Sequence, residues 1–246
     1  MVHNDTYDPV FFEQLRKVEQ NHFWFRVRRR WIFDKIKKFM PPPAKILEVG
    51  CGTGNVSSFL AKKGYKVTGC EYYSEAINRS WSGFQIIQGD ANNLPFENNS
   101  FEIVGLFDVI EHFQDDKAVI KEAARVLKDE GILILTVPAR EELWSSVDEI
   151  SFHKRRYTQE KLKRLYSEID FEPLLTEYMF MLLYVPMKHM RKSGVKNNDL
   201  FKINSIVNVL LAGFFNIERI VSKRVPLPIG TSLIGIAQKL SRLPQR

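Results

Sequence analysis

The sequence predicts an α/β protein with a Rossmann-like, mostly parallel sheet of seven strands and helices on both faces. Three observations support this fold class: apolar, β-branched runs alternate with helical patterns from residue 45 onward, a glycine-rich turn follows the first run, and an acidic residue ends the second. Strands separated by helices favour parallel pairing, because each crossover returns the chain to the same edge of the sheet. We also predict a helical extension at the N-terminus and a helical insertion between the last two strands.

Residues 45–71 are predicted to form a βαβ unit. A strand at 45–49 leads into a glycine-rich turn at 50–54, a helix follows at 55–63, and a second strand starts at Lys66 and ends on Glu71. Glycine at alternate positions permits positive φ and a close ligand approach, and the free amides at the helix start favour a negative group. A carboxylate about twenty residues after such a turn can accept hydrogen bonds from both ribose hydroxyls. This unit therefore predicts a nucleoside site.

The glycine spacing distinguishes two classes of ligand. A dinucleotide fold requires Gly-x-Gly-x-x-Gly, whereas here Asn55 takes the last place and Gly54 comes one residue early. The run Glu-Val-Gly-Cys-Gly-Thr-Gly at 48–54 instead resembles motif I of class I S-adenosylmethionine-dependent methyltransferases, in particular the small-molecule methyltransferase type 11 or ubiquinone O-methyltransferase-like group. The resemblance implies S-adenosyl-L-methionine as cofactor and S-adenosyl-L-homocysteine as product.

Two later strand ends extend this resemblance. A strand predicted at 84–87 is followed by Gly-Asp-Ala at 89–91, and one at 102–107 ends in Phe-Asp-Val-Ile-Glu-His at 107–112. Ligands of open parallel sheets bind at such carboxyl ends. A turn cap is an alternative role for Asp90, as is packing on the turn for Tyr72. The cofactor contacts that the resemblance implies are Glu48, Gly50, Gly52, Gly54, Glu71, Tyr72, Asp90, Ala91, Phe107 and Asp108.

His112 and Glu111 are the candidate catalytic residues. An imidazole near its free pKa can take a proton from a hydroxyl at neutral pH, and Glu111 could orient the ring. Two alternatives stay open. A histidine near a strand end is often only held in place by hydrogen bonds, and methyl transfer to an already ionised oxygen needs no base.

The candidate substrate-binding residues lie in a basic segment, His-Lys-Arg-Arg-Tyr-Thr at 153–158, before a helix that starts at Thr158. His153, Arg156 and Tyr157 could bind an anionic substrate, since arginine pairs bidentately with carboxylates. The alternative is a basic surface run at a helix start. We expect no metal site, and the two cysteines, Cys51 and Cys70, lack metal-ligand spacing.

Four segments are predicted along the chain. Residues 1–40 form a helical extension packed on the core, 41–178 the cofactor-binding core, 179–230 an apolar helical insertion or cap, and 231–246 the final strand and tail. The aromatic and basic cluster His-Phe-Trp-Phe-Arg-Val-Arg-Arg-Arg at 22–30 would cover either the cofactor or an edge of the sheet. The insertion is predicted as two apolar helices around a polar hinge at 192–199, serving as a lid over a lipophilic acceptor, a dimer contact or a membrane-surface contact.

The remaining strands complete the predicted sheet. A helix from Asp116 to about Lys128 precedes a fifth strand at 132–137, and further strands are predicted at 171–178 and 231–238. The resemblance implies that the last strand runs antiparallel between the fifth and sixth.

Composition and charge constrain the setting. At 246 residues and 44% hydrophobic content, the chain fits one large α/β domain with insertions. Its net charge of +7 divides into +4 over residues 1–40, −7 over 41–150 and +10 over 151–246. The basic flanks permit an anionic substrate, a membrane surface, RNA or an ordinary solvated surface. Without a signal pattern or an apolar run of roughly 18 residues, we expect a soluble cytoplasmic protein.

The favoured function is methyl transfer to a small apolar or anionic acceptor, with O-methylation preferred and the protein a monomer or homodimer. Nucleic acid is disfavoured, because amino-directed base methylation commonly uses an Asn/Asp-Pro-Pro-aromatic strand end and this chain has Phe-Asp-Val-Ile at 107–110. The alternatives are an RNA methyltransferase and a non-catalytic binding protein with the cofactor fold.

Overall fold

Strand pairing follows the predicted α/β plan in the computed structural model, which describes residues 9–192 and 203–241. The strands are β1 (Lys45–Val49), β2 (Lys66–Glu71), β3 (Gln85–Gln88), β4 (Phe101–Phe107), β5 (Leu127–Pro138), β6 (Phe171–Met179) and β7 (Ser232–Lys239). Within the described residues they form one seven-stranded sheet in the order β3-β2-β1-β4-β5-β7-β6. The pairs among β1 to β5 are parallel, and β7 runs antiparallel between β5 and β6. The predicted sheet is confirmed.

Apolar strands at the centre of the sheet hold the core. Ile46, Leu47, Ile103 and Val104 are fully buried, because helices cover both faces of β1 and β4. The chain order reverses between β1 and β4, which opens a crevice at their carboxyl ends. The helices are α1 (Pro9–Val18), α2 (Phe23–Phe39), α3 (Asn55–Ala61), α4 (Ser74–Ile77), α5 (Asp116–Val126), α6 (Ser146–Ile150), α7 (Gln159–Ser167), α8 (Tyr184–Lys192) and α9 (Ser205–Val221).

Most element boundaries agree with the sequence patterns, but β5 begins earlier than predicted. Leu127 pairs with Phe101 of β4 before the register shifts, so strand pairing already includes the segment that leads to Gly131. The preceding helix therefore ends at Val126 instead of near Lys128.

The N-terminal extension is two helices with a break between them. The ring Nδ1 of His22 accepts a hydrogen bond from the Trp24 amide and so caps the start of α2. Along α2, Trp31, Ile32 and Ile36 are fully buried in the core.

Helix α9 agrees with the second apolar helix predicted in the insertion, whereas α8 starts only at Tyr184, because Met179 ends β6 and Met181–Leu183 form a 3-10 turn. Helix α9 packs against α2, where the rings of Phe23 and Phe215 stack at 5.4 Å. The polar hinge predicted at 192–199 lies outside the described residues apart from the last residue of α8. None of the described helices combines the length and apolarity needed to cross a membrane. The four-segment division of the chain stays a prediction.

Candidate active site

A pocket opens at the carboxyl ends of β1, β2, β3 and β4, where the order of the strands reverses. Its lining comes from the turns after these strands and from α1, which lies over the opening. The lining residues are Phe11, Phe12, Val49, Gly50, Gly52, Glu71, Tyr72, Tyr73, Gly89, Asp90, Ala91, Asp108, Val109, His112 and Phe113. The topology therefore brings together most of the predicted cofactor residues.

The glycine turn is tied to the end of β2 by one carboxylate. Glu71 accepts a hydrogen bond from the Gly52 amide at 2.7 Å with one oxygen, and from the Tyr72 and Tyr73 amides at 2.9 and 3.0 Å with the other. Burial raises the pKa of Glu71, while these three amide donors oppose the rise. The fold thus fixes the Glu71 side chain at the pocket wall.

Two glycines of this turn show why the turn needs glycine. Gly52 has a φ of +55°, and an added Cβ would meet no atom within 4 Å, so open space lies beside the turn. Gly54 has a φ of +78°, and an added Cβ would lie 2.2 Å from a ring carbon of Phe84. Gly52 therefore faces the pocket, whereas Gly54 permits close packing at the start of α3.

At the end of β3, Asp90 stabilises its own turn. One carboxylate oxygen accepts hydrogen bonds from the Asn92 amide and side chain at 2.9 and 3.1 Å. The turn cap considered from the sequence is thus present, and it coexists with a place in the pocket lining. Nearby, the Tyr73 ring lies 5.5 Å from Phe12 of α1, which adds an aromatic wall.

The end of β4 carries a strained and charged group. Asp108 has a φ of +59°, in the left-handed region that non-glycine residues seldom adopt. Its carboxylate lies 2.5 Å from Nη2 of Arg28, and Nη2 also donates to the Thr136 hydroxyl at 2.9 Å. Thr136 in turn donates to Asp108 at 3.2 Å. Arg28 of α2 therefore neutralises Asp108 and holds it in place.

Glu111, His112 and His153 come together beside Asp108. Their ligand atoms lie within 4.8 Å of one another, and the two imidazole rings are 4.8 Å apart in an edge-on arrangement. His112 lines the pocket. Burial, then the proximity of His153, lowers the pKa of His112 to about 4, so its imidazole is neutral at pH 7. The three groups could ligate a metal, and the expectation of no metal site stays a prediction.

Glu111 is fully buried, and neither of its carboxyl oxygens has a hydrogen-bond partner among the described residues. Burial, reinforced by the negative charge of Asp108, raises the pKa of Glu111 well above its usual range. Burial therefore favours the neutral form of this carboxyl group. Glu111 lies behind the pocket wall and does not line the pocket.

The other candidate substrate residues are engaged inside the protein. Arg156 is buried, pairs bidentately with Asp148 at 2.8 and 3.0 Å, and donates to the Ala139 carbonyl at 2.9 Å. The buried Tyr157 hydroxyl donates to Asp116 at 2.8 Å. Nδ1 of His153 lies 3.0 Å from the same Asp148. These contacts fix the segment after α6, and a substrate role for Arg156 or Tyr157 would have to displace them.

Three predicted cofactor residues lie outside the pocket lining: Glu48, Gly54 and Phe107. Glu48 is buried beneath the turn, where it accepts a hydrogen bond from the Ser57 hydroxyl. Burial raises its pKa to about 7. The Phe107 ring packs under β4, so close to Gly105 that an added Cβ there would lie 2.6 Å from the ring. These residues support the turn and the strand from below.

Sequence reasoning missed the residues that α1 and its end contribute. Phe11 and Phe12 line the pocket, and Glu19, just past α1, is buried and accepts hydrogen bonds from the Thr53 hydroxyl and the Trp81 indole. Burial raises the pKa of Glu19. Glu19 lies in a polar run, Lys-Val-Glu-Gln-Asn-His at 17–22, and no local sequence signal distinguishes it. From residues 22–30, Arg28 of α2 reaches the site, while the helix that lines the pocket is α1, and the two alternatives for residues 22–30 stay predictions.

The lining suits S-adenosylmethionine on the chemistry of its donor groups. Glu71, Asp90 and Asp108 contribute carboxylates, and no lysine or arginine appears among the described lining residues. A pocket of this charge favours a cationic nucleoside. The open space beside Gly52 and the aromatic wall accommodate a sugar and a planar base.

Comparisons with known proteins agree with this geometry. Residues 47–135 match the family described as a methyltransferase domain. A Mycobacterium tuberculosis protein named a probable S-adenosylmethionine-dependent methyltransferase is 27% identical over 155 residues, which cover 61% of this chain and 56% of that protein. A demethylmenaquinone methyltransferase of Thermotoga maritima is 34% identical over 98 residues, covering 38% of this chain and 43% of the relative.

A solved structure has the same fold. The S-adenosylmethionine-dependent methyltransferase from Methanosarcina mazei superimposes with a TM-score of 0.57 at 20% identity, covering 85% of this chain and 98% of that one. The chain spans about half the length of the two curated relatives it matches. Residues 47–135 therefore form a methyltransferase domain, and the strand order and motif-bearing strand ends support a class I S-adenosylmethionine-dependent methyltransferase, a class whose cofactor is S-adenosylmethionine.

Proposed function

We propose that this chain transfers the methyl group of S-adenosylmethionine to a small apolar acceptor, with oxygen favoured as the acceptor atom. The observation that carries the proposal is the mixed lining of the pocket. Three carboxylates suit the cationic nucleoside, while Phe11, Phe12, Val109 and Phe113 provide apolar and aromatic surface at the same opening. Such a site can hold a charged cofactor beside an apolar partner.

The name of one relative supports an apolar acceptor, whereas another relative is named for sarcosine and dimethylglycine, which carry a carboxylate. The Thermotoga maritima relative is named for demethylmenaquinone, a quinone. An anionic acceptor would need free cationic donors, and the guanidinium of Arg156 is used by Asp148 and Ala139. We therefore favour an apolar ring that carries a hydroxyl group.

The predicted cofactor residues have distinct roles in this proposal. Gly50 and Gly52 would shape the pocket for the methionine and ribose parts, Glu71 would accept hydrogen bonds from the ribose hydroxyls, and Asp90 with Ala91 would contact the adenine. Asp108 would face the cationic end, its charge balanced by Arg28. Glu48, Gly54 and Phe107 would act indirectly, by supporting these residues.

The chemical demand on the protein is mainly one of positioning. When bound, S-adenosylmethionine supplies a methyl group on a cationic sulfur, and the resulting thioether is a neutral leaving group. The chain then has to hold the acceptor atom in line with that carbon–sulfur bond and keep water out. Phe11 and Phe12 of α1 line the pocket and are placed to keep water out.

His112 is the side chain we assign to the acceptor hydroxyl. Its low pKa leaves a neutral imidazole that can accept a hydrogen bond, but it makes the ring a weak base at neutral pH. Glu111, buried behind it, would position the ring, since burial disfavours its charged form. His153 would buttress the His112 ring from its far side.

A transfer assay tests the proposal. The chain is incubated with S-adenosylmethionine labelled in the methyl group, together with a lipid extract, an aqueous metabolite extract or total RNA. We expect label in a small molecule that partitions into organic solvent, and much less label after Glu71→Ala when the cofactor is below saturation. Label in RNA that ribonuclease releases would favour the RNA methyltransferase alternative. Tight cofactor binding without transfer to any extract would favour the non-catalytic alternative.

Several expectations from the sequence stay predictions. These are the choice between monomer and homodimer, the cytoplasmic location and a substrate role for His153, Arg156 and Tyr157.

A further inference from the structure

Helix α9 buries Ala212 and Phe215 against the protein, but carries most of its large apolar residues on the side that faces away from it. Ile206, Leu210, Phe214 and Ile217 follow one another at helical spacing, and their exposed fractions are 72%, 67%, 53% and 62%. We call this surface the outer face. Its members are Ile206, Val207, Val209, Leu210, Phe214, Ile217, Ile220 and Val221.

The polar residues of the same helix point inward and make specific bonds. Asn208 accepts a hydrogen bond from the Phe23 amide at 2.7 Å and donates to the Asn21 carbonyl at 2.8 Å. Glu218 is buried and accepts from the amides of Met181 and Leu182 at 2.8 and 3.0 Å. Rotating α9 to bury the outer face would break these bonds, so the orientation of the helix is determined by its polar side.

An ordinary surface helix turns its apolar stripe to the core and its polar side to solvent, whereas α9 buries Ala212 and Phe215 and exposes a second, larger apolar stripe. A continuous exposed apolar face on a folded protein marks a contact with another apolar surface. Trp144 or Leu174, exposed singly on other elements, needs no such explanation. The outer face requires an explanation, because its eight members lie together on one side of a single helix.

Charge indicates what covers the outer face. Residues 179–230 contain eight lysines and arginines against two acidic residues, and one of these two, Glu218, is buried and bonded to main-chain amides. Arg224 is exposed directly beyond the helix end, and so is Lys223, which pairs with Asp34 at 2.8 Å. A second copy of the chain would bring the same positive charge to the contact. An apolar layer beneath negatively charged head groups complements both the face and the charge.

We propose that α9 is a membrane-docking element that lies flat on a bilayer containing anionic lipid, with the outer face in the acyl boundary and the cations beyond its end at the head groups. The helix has 17 residues and is therefore about 25 Å long. It is suited to lie in the interface and, like the other described helices, does not meet the requirements for crossing. This docking goes beyond the proposed methyl transfer and is independent of the acceptor.

Sedimentation with vesicles tests the docking on the full chain, without cofactor or acceptor. The vesicles are made either of phosphatidylcholine alone or of equal parts phosphatidylcholine and phosphatidylglycerol. We expect binding to the anionic vesicles that weakens at high salt. We expect Ile217→Gln to weaken it about tenfold, because one large apolar side chain leaves the acyl boundary. The matched control is Ile150→Gln on α6, where the side chain is 58% exposed against 62% for Ile217.

Three results would overturn the proposal. The first is equal vesicle binding by the Ile217→Gln and Ile150→Gln variants. The second is the absence of binding to anionic vesicles at low salt, and the third is a dimer in sedimentation velocity that Ile217→Gln dissociates, which would assign the outer face to a second copy. Circular dichroism and cofactor affinity of each variant verify that the fold is intact. Vesicle binding is measured without cofactor or acceptor. The test of membrane docking is therefore independent of whether the proposed methyl transfer occurs.

Discussion

The Arg28 guanidinium reaches from α2 to the end of β4, where its Nη2 atom lies 2.5 Å from the Asp108 carboxylate. The side chains are 9% and 25% exposed, so the pair is largely shielded from solvent. Arg28 also lowers the pKa of Glu111 and Glu48 by its charge, against the effect of burial. One cation from the N-terminal extension thus stabilises the charged forms of three acidic groups of the core, Asp108, Glu111 and Glu48.

Removing that cation should destabilise the protein. We expect Arg28→Gln to lower the free energy of unfolding by about 1.5–3 kcal/mol, because the partly exposed Asp108 loses a hydrogen bond from a charged donor. Urea denaturation measures the change. The control is Lys117→Gln, which breaks the exposed ion pair with Glu168 and should leave the curve unchanged. Equal curves for both variants would show that Arg28 does not compensate this charge.

The bond from Glu19 to Thr53 and Trp81 should hold α1 over the pocket. We expect Glu19→Ala to release α1, so that trypsin cleaves after Arg16 and Lys17 roughly tenfold faster, since the loss of bonds to a charged acceptor favours the open state. Mass spectrometry of timed digests gives the rate. Glu13→Ala, at an exposed pair with Lys17, is the control. Identical digestion of both variants would show that Glu19 does not hold α1 over the pocket.

Glu71 should control cofactor affinity. We expect Glu71→Ala to raise the Kd for S-adenosylhomocysteine about tenfold to a hundredfold, because hydrogen bonds to a charged acceptor are lost and the Gly52 amide loses its partner. Isothermal titration calorimetry measures this. Glu75→Ala, in the first turn of α4, is the control. An unchanged Kd for Glu71→Ala would rule out the ribose assignment.

The buried Glu48 should make stability depend on pH. Its pKa rises from 4.5 to about 7 on folding, so the folded state binds a proton that the unfolded state has released. The stability that this proton confers is fully present below pH 4.5 and is lost as the pH rises to about 7, which amounts to about 3 kcal/mol. We expect Glu48→Gln to remove this component, measured as the difference between unfolding free energies at pH 5 and pH 8. The same difference in both proteins would contradict the assignment.

His112 should stay neutral across the physiological range. With a pKa near 4, its imidazole should not titrate between pH 5.5 and pH 8. The ring proton resonance in NMR, identified by its loss in His112→Gln, should keep its chemical shift over this interval. A midpoint near 6.5 would mean that the ring is solvated and can act as an ordinary general base.

Local patterns were enough to predict the central unit. The alternation of apolar runs with helical periods, the turn at 50–54 and the carboxylate of Glu71 are readable within one stretch, because strand propensity and glycine conformation act over a few residues. The antiparallel last strand followed from family resemblance and is confirmed by the pairing of β7 with β5 and β6. The early start of β5 could not be read locally, since it depends on pairing between Leu127 and Phe101.

The site shows the same division. Glu71, Asp90 and Asp108 were named from strand ends, and the topology brings them to one pocket. Arg156 and Tyr157 were predicted to bind substrate from their chemistry. Whether their polar atoms are free to do so depends on their hydrogen-bond partners in the folded chain, which are Asp148, Ala139 and Asp116.

The order of strands and helices, the class of ligand and the strand ends that meet it are therefore properties of the sequence itself, because each rests on contiguous residues. The tertiary structure decided which side chains close the pocket, which charges are neutralised and which way α9 faces. Phe12, Arg28 and Asn208 act on partners at least sixty residues away, as in the pairing of Arg28 with Asp108 and of Asn208 with Phe23. Burial and pairing at that distance arise from packing, and no local pattern encodes them.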